Sequence, residues 1–265
     1  MKLTIKHKTQ YDYDTPVAFA LQKVRLRPAD SKLQTILSWA VDVEGGKTEA
    51  MYGDHYGNHL DLVSAHPGAQ KLVITASGTV ETQDLAGVLG KVYGRAPLWH
   101  FQQSTPLTLA GSRIEQLAEV LQGGGNEIDN MHNLSGSILE AVPYEAGNTG
   151  SETPAEQAIE IGKGVCQDHA NIFVSAARQA GYPARYVSGY LMMNDRVEQD
   201  ASHAWAEVHL QDLGWVGFDV SNGVCPDERY VRLAIGRDAH DAAPISGLRG
   251  GQGDETMIVS LQVQQ

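Results

Sequence analysis

The chain has 265 residues, 42% of them hydrophobic and 20% charged, with a formal net charge of −12. That length suits one large or two modest domains, and the composition is that of an ordinary globular protein and excludes disorder over most of the length. The acidic balance excludes a nucleic-acid binder and adsorption on an anionic membrane, both of which need clustered Lys and Arg.

The opening Met1–Lys8 segment carries positive charge with no apolar run behind it, so no secretory signal is expected. Nor does any apolar run reach the ~20 residues needed to cross a bilayer. Only two cysteines are present, Cys166 and Cys225. They exclude a disulfide framework and fit a reduced, cytoplasmic compartment.

In chain order, residues 1–95 read as β structure. Leu3, Ile5 and His7 alternate with polar neighbours, and Leu37, Trp39, Val41 and Val43 share one parity. A third run, Lys71–Ala76, lies between Gly68 and Gly78. Period-two patterning broken by turn residues predicts an antiparallel β-sandwich.

From residue 96 onward the pattern becomes helical. Ser112 is placed to cap a helix with Ile114, Leu117, Ala118 and Leu121 on one face, ended by the glycines at 123–125. A second helix is predicted over Met131–Ala141, stopped by Pro143. A third opens at Thr153, with Pro154 at its first position and Glu156 at capping-box spacing.

Next, Gly164-Val165-Cys166 leads into a helix whose Ala170, Phe173, Val174 and Ala177 share a face with Cys166, and Gly181 stops it. Strands are then expected over Ala184–Tyr190, His203–Leu210, Trp215–Val220 and Thr256–Val263, with the glycine-rich stretch 247–253 as a loop. The division is therefore 1–95 for the β module and 96–265 for an α+β core.

Cys166 stands at a helix entrance. A helix N-terminus and an imidazole partner both favour the reactive thiolate. On position alone, a structural cysteine remains the commoner reading. The strand pair adds to the case. In His203–Leu210 the odd positions hold His203, Trp205, Glu207 and His209, and in Trp215–Val220 Asp219 shares the odd face. That face is predicted to be wet, since the even positions are apolar. Joined by a hairpin at Gln211–Gly214, a register that sets Glu207 opposite Trp215 sets His203 opposite Asp219. An aspartate there orients the imidazole, as in a hydrolytic triad; a cross-strand pair that only helps the sheet is the alternative.

Four segments now carry a resemblance: Gly164–Asp168, Gly181–Tyr190, Ser202–Glu207 and Gly214–Asp219. Together with Ile235–Asp238, Asp241–Gly247, Tyr56–His59 and Val80–Thr82, they resemble the bacterial transglutaminase-like family, whose members are often described as cysteine proteases. The resemblance implies a papain-like core behind a β-sandwich, with Cys166 as nucleophile, His203 as acid and base, and Asp219 as the orienting group. It implies a hydrolase that cleaves a peptide, isopeptide or other amide bond through a thioester. Alternatives are acyl transfer from protein glutamine to an amine, or a binding module that keeps the fold without catalysis.

Asp219-Val220-Ser221-Asn222 stands where the family usually has Asp-Pro-Thr-Asn, and His169 and Asn171 replace the commoner Phe and His. No tryptophan lies between Trp99 and Cys166 to serve as the oxyanion donor of animal transglutaminases. The Cys166 backbone N–H is one expected oxyanion donor; the second is unassigned, with the loop 144–153 as the place to look. No cofactor or metal is expected: His55 and His59 have ligand spacing, but Gly53 and Gly57 argue against the helix that spacing needs. Cys225, followed by proline, reads as a spectator, and Trp205 and Trp215 read as packing residues. The expected partner is a peptide or protein substrate.

Overall fold

The computed structural model describes residues 1–92 and 95–265. The chain forms β1 (Lys2–Tyr13), β2 (Phe19–Arg27), β3 (Gln34–Glu44), β4 (Gly46–Gly53), β5 (His59–Ala65), β6 (Lys71–Thr82) and β7 (Val88–Gly90). Helices α1 (Ser112–Ala118), α2 (Glu127–Ala141), α3 (Ala155–Ile161) and α4 (Cys166–Gln179) follow. The chain ends with β8 (Ala184–Leu191), β9 (Glu198–Gln199), β10 (His203–Leu210), β11 (Gly214–Phe218), β12 (Tyr230–Gly236), β13 (Ile245–Gly250) and β14 (Glu255–Gln264). Among the described residues no helix is long and apolar enough to cross a membrane.

Three antiparallel sheets result, in the orders β3-β6-β1-β14-β9, β13-β2-β5-β4 and β12-β8-β10-β11-β7. The first two enclose a core that includes Leu3, Ile5, Val24, Leu26, Leu72 and Ile74, and so form the sandwich. Alternation holds along β1, where Leu3 and Ile5 are buried between exposed lysines and threonine. One predicted parity fails. The register between β3 and β6 shifts between Ile36 and Ser38, so Ile36 packs on the core and Leu37 is exposed. One bulged residue changes which side chains face inward.

The division at residue 95 does not follow the sheets. β13, part of it in the stretch expected to be a loop, pairs with β2, and β14 pairs with β1 over ten residues. The last strands of the chain thus complete the sandwich, while β7, from before residue 95, joins the third sheet. Pairing partners far apart in sequence are not encoded in local periodicity.

On one face of the third sheet lies α4, buried from Asp168 to Arg178. Its Ile172, Phe173, Ala176 and Ala177 share a core with Ala206, Val208, Val216 and Phe218. At the helix C-terminus the buried Arg178 guanidinium donates to the carbonyls of Phe101, Ala184 and Arg237, where a cation suits the dipole. The opposite face, predicted to be wet, is buried as well: Trp205 and Trp215 pack with Tyr56, Leu89, Phe101 and Tyr230. Glu207 is buried between Arg185 Nε at 2.6 Å and Arg232 Nε at 2.9 Å. Burial acts to raise its pKa, but the two guanidiniums outweigh that and hold the carboxylate below its usual range.

Helix ends differ in detail from expectation. α1 begins with Gly111 as its cap and Ser112 inside the helix. The Glu156 carboxylate accepts from the N–H groups of Gly111, Arg113 and Ile114, so it caps α1 rather than its own helix. A carboxylate at a helix N-terminus satisfies free donors wherever it comes from in the chain. α2 starts one turn earlier than predicted, because the Asn126 side chain accepts from Ile128 N–H.

Candidate active site

Two glycines prepare the entrance of α4. Gly162 ends α3 in the left-handed region at φ 71°, which favours glycine. A Cβ on Gly164 would lie 2.8 Å from Asp168 Oδ2, so a side chain there would collide with the carboxylate folded back over it. Asp168 Oδ2 accepts from Val165 N–H at 2.8 Å and from Thr149 Oγ1 at 2.6 Å. These bonds tie the loop 144–153 to the helix start and leave Cys166 as the first helical residue. Among the described residues the Cys166 N–H has no hydrogen-bond partner. It belongs to the set of first-turn donors that a helix cannot satisfy internally.

His203 opens β10, and its Nε2 donates to Asp219 Oδ2 at 2.6 Å. The register between β10 and β11 is two residues away from the expected one: Glu207 pairs with Gly217 and His209 with Trp215. The hairpin turn is Gln211–Leu213, β11 stops at Phe218, and Asp219 lies just beyond it in a bridge to Val224. His203 therefore reaches Asp219 diagonally rather than directly across. Three donors converge on Asp219 Oδ2: His203 Nε2, Asn222 Nδ2 at 2.7 Å and the Tyr230 hydroxyl at 2.7 Å. Burial acts to raise the Asp219 pKa, and these bonds, led by His203, outweigh it and lower it.

Cys166 lines the same cleft as the imidazole. Burial disfavours the charged ring, yet the bond to Asp219, with the nearby charge of Asp219 and Cys166, pushes the His203 pKa up to about 10. At neutral pH the ring bonded to Asp219 is therefore the imidazolium.

Cys166 and His203 line a cleft of about 240 Å³, with Tyr186, Ser151, His240 and Pro244 among its walls. Tyr186 is one of the cleft's walls, and burial, with charge at Cys166 and Asp168, raises the pKa of its phenol. The loop 144–153 reaches the cleft through Ser151. Both thiols are free, and Cys225 lies 3.8 Å from His132 Nε2 on α2. Trp205 and Trp215 pack on the far face of the sheet rather than lining the cleft.

The two departures from the family pattern meet in space. His169 Nε2 donates to Val142 O at 2.7 Å, and Ser221 Oγ donates to its Nδ1 at 2.8 Å. The buried ring, its pKa lowered by desolvation, links α4 to the turn that carries Asp219 and Asn222. Neither Tyr230 nor this link is deducible from spacing. Asn222 is, since an amide three residues after an aspartate can bond its carboxylate within one turn.

A helix-borne cysteine facing a histidine and aspartate from an antiparallel sheet defines a papain-like, cysteine-dependent acyl-transfer fold. Sequence comparison supplies the family. Residues 115–220, which include all three site residues, match the transglutaminase-like superfamily core, and residues 3–81 match the bacterial transglutaminase-like N-terminal region. The chain belongs to the bacterial transglutaminase-like family, and so to a class of cysteine-dependent hydrolases and acyltransferases.

An uncharacterised Mycobacterium leprae protein is 26% identical over 99% of this chain and 98% of its own. A Pseudomonas aeruginosa protein-glutamine gamma-glutamyltransferase is 30% identical over 38% of this chain and 17% of its own. The solved structure of a "putative cysteine protease" from Cytophaga hutchinsonii superposes with a TM-score of 0.79 at 22% identity, over 100% of this chain and 90% of that one. That likeness establishes the fold.

Proposed function

We propose that the protein hydrolyses a peptide, isopeptide or other amide bond through a thioester on Cys166. The observation that carries the reading is the imidazole of His203, held by Asp219 at 2.6 Å in the wall of the same cleft that Cys166 lines. The thiolate attacks the amide carbon, and the C=O electron pair moves onto oxygen. The Cys166 N–H is one donor for that oxyanion, and the Tyr186 phenol is available as the second. As the tetrahedral species collapses, the C–N bond breaks and His203 gives its proton to the departing nitrogen. A water then attacks the thioester, His203 takes its proton, and the acyl group leaves as a carboxylic acid while the sulfur is restored. Acyl transfer to an amine differs only in the second nucleophile, and the glutamyltransferase relative favours keeping it as the alternative.

Incubation with a peptide library and a small primary amine, read by mass, separates the two. New carboxyl termini or deamidated glutamines mark hydrolysis; amine-labelled products mark transfer; neither, with Cys166 intact, refutes both. Cys166→Ala abolishes turnover. Asp219→Asn keeps the shape but favours the wrong tautomer, costing about 10²–10⁴ in kcat with a preserved fold. An Asp219→Asn protein that melts early yet turns over normally would assign Asp219 to the sheet alone.

A further inference from the structure

Beyond the cleft, the sandwich has an opening of its own. A groove of about 280 Å³ runs between β1, β14 and the segment ahead of β13, with Tyr11, Ile245, Met257 and Val259 along its walls. Its inner end is polar but self-satisfied: His7 bonds the Tyr190 hydroxyl at 3.0 Å and Thr9 Oγ1 at 3.2 Å. Ala201, Ser202 and Pro244 belong both to this groove and to the cleft that holds Cys166. The two hollows therefore share a wall one residue from His203.

The inward row of β14 explains why the groove is apolar. Val263 and Leu261 are fully buried, whereas Met257 is 57% exposed. Within the register Tyr11↔Met257 and Thr9↔Val259, the core stripe of the sandwich runs out into solvent on the side of the cleft. The backbone is open there too. β14 pairs with β1 along its length, but on its other side β9 covers only Leu261 and Gln262. Among the described residues the edge of 255–260 is unpaired, and β9 continues through Asp200-Ala201-Ser202 directly into His203.

We propose that this groove and the open edge of β14 form a subsite for an extended polypeptide, seating an apolar side chain a few residues from the scissile amide. The proposal rests on Cys166 being the nucleophile and names the substrate class: a chain, not a small isolated amide. The cleft alone, at about 240 Å³, is smaller than pockets that hold a drug-sized ligand, roughly 300–1,000 Å³, so substrate must use neighbouring surface. A strand added to an open edge gains main-chain hydrogen bonds, and its alternate side chains enter the pockets beside it. Asp200 on the groove wall disfavours an acidic side chain there.

The test uses the intact protein and two series of peptidyl electrophiles carrying Leu, Val or Phe, one to four residues long. One series extends on the acyl side of the reactive carbon, the other on the leaving-group side; iodoacetamide is the small reference. Labelling at Cys166 is followed by mass. The expected result is an inactivation rate that grows about tenfold or more with length in one series. Met257→Glu removes most of that gain, Met257→Leu keeps it, and the iodoacetamide rate stays constant in both. Met257 is exposed, so both variants keep the wild-type melting temperature. No gain with length, or a gain that survives Met257→Glu, overturns the subsite. Failure of iodoacetamide to label Cys166 ahead of Cys225 in the wild type would instead count against the nucleophile.

Discussion

The two faces of the β8–β10–β11 sheet are both dry, but they are made dry in different ways. Toward α4 the strands present Ala206, Val208, Val216 and Phe218, which pack on Phe173 and its neighbours with nothing polar to satisfy. Away from α4 they present Trp205, Glu207 and Trp215, with Arg185 over the Trp215 ring at 3.8 Å and both arginines on Glu207. Alternation along a strand separates two faces by polarity; it does not say that the polar face meets water. What covers the second face comes from residues 56, 89 and 101, far away in sequence. His203 and Asp219 stand at the end of this second face, and both are buried.

Breaking each face separately sharpens the contrast. Glu207→Ala leaves two buried guanidiniums without their carboxylate and is expected to cost about 3–5 kcal/mol. Phe218→Ala opens a cavity on the apolar face at a similar cost of about 3–5 kcal/mol. Denaturant melts of both measure this. Only the Glu207 loss should depend on pH and salt, and a Glu207→Ala cost below ~1 kcal/mol would mean that the second face is wet after all.

A smaller effect is read by pH. The folded His203 pKa is about 10, above the ordinary value near ~6.5. Its contribution to stability is therefore complete below the unfolded value and is lost as pH rises toward 10. His7, pushed down to about 4 by burial, and His169, also lowered by burial, act in the opposite sense: their contributions hold above the unfolded value and are lost as pH falls below it. Melting temperature across pH should fall on both sides, and His203→Asn should flatten the alkaline limb alone. An alkaline limb unchanged in that variant would place its origin elsewhere.

The smallest expected change concerns the link between α4 and the Asp219 turn. His169→Phe restores the family's commoner residue but leaves Val142 O and the Ser221 hydroxyl without a partner, for about 1–3 kcal/mol. Ser221→Ala on that background should add little, because the shared bond is already gone. A double-mutant cycle on melting and kcat measures both; additive losses would show that the two residues act apart.

Much of the site was legible from residue order. Cys166 at a helix entrance needed only the glycines before it and the apolar period after it. His203 and Asp219 were placed on one face by parity, and parity survives a register error of two residues, because side chains alternate with period two. That is why the contact exists although Glu207 pairs with Gly217 rather than Trp215. The bulge at Leu37 and the tertiary cap from Glu156 are of another kind: each depends on a neighbour that local sequence does not name.

By itself, then, the sequence determined the helix that Cys166 opens, the parity of β1, β10 and β11 and the order of Cys166, His203 and Asp219, since propensity, period and turn chemistry act over a few residues. Tertiary structure alone decided that β13 and β14 return to the sandwich, that Glu207 is buried and that the Tyr230 hydroxyl reaches the Asp219 oxygen that His203 also bonds. It also decided that the sandwich opens beside the cleft. These features arise from surfaces that meet only after the chain has closed long loops, where the free energy comes from burial and complementarity rather than from any local pattern.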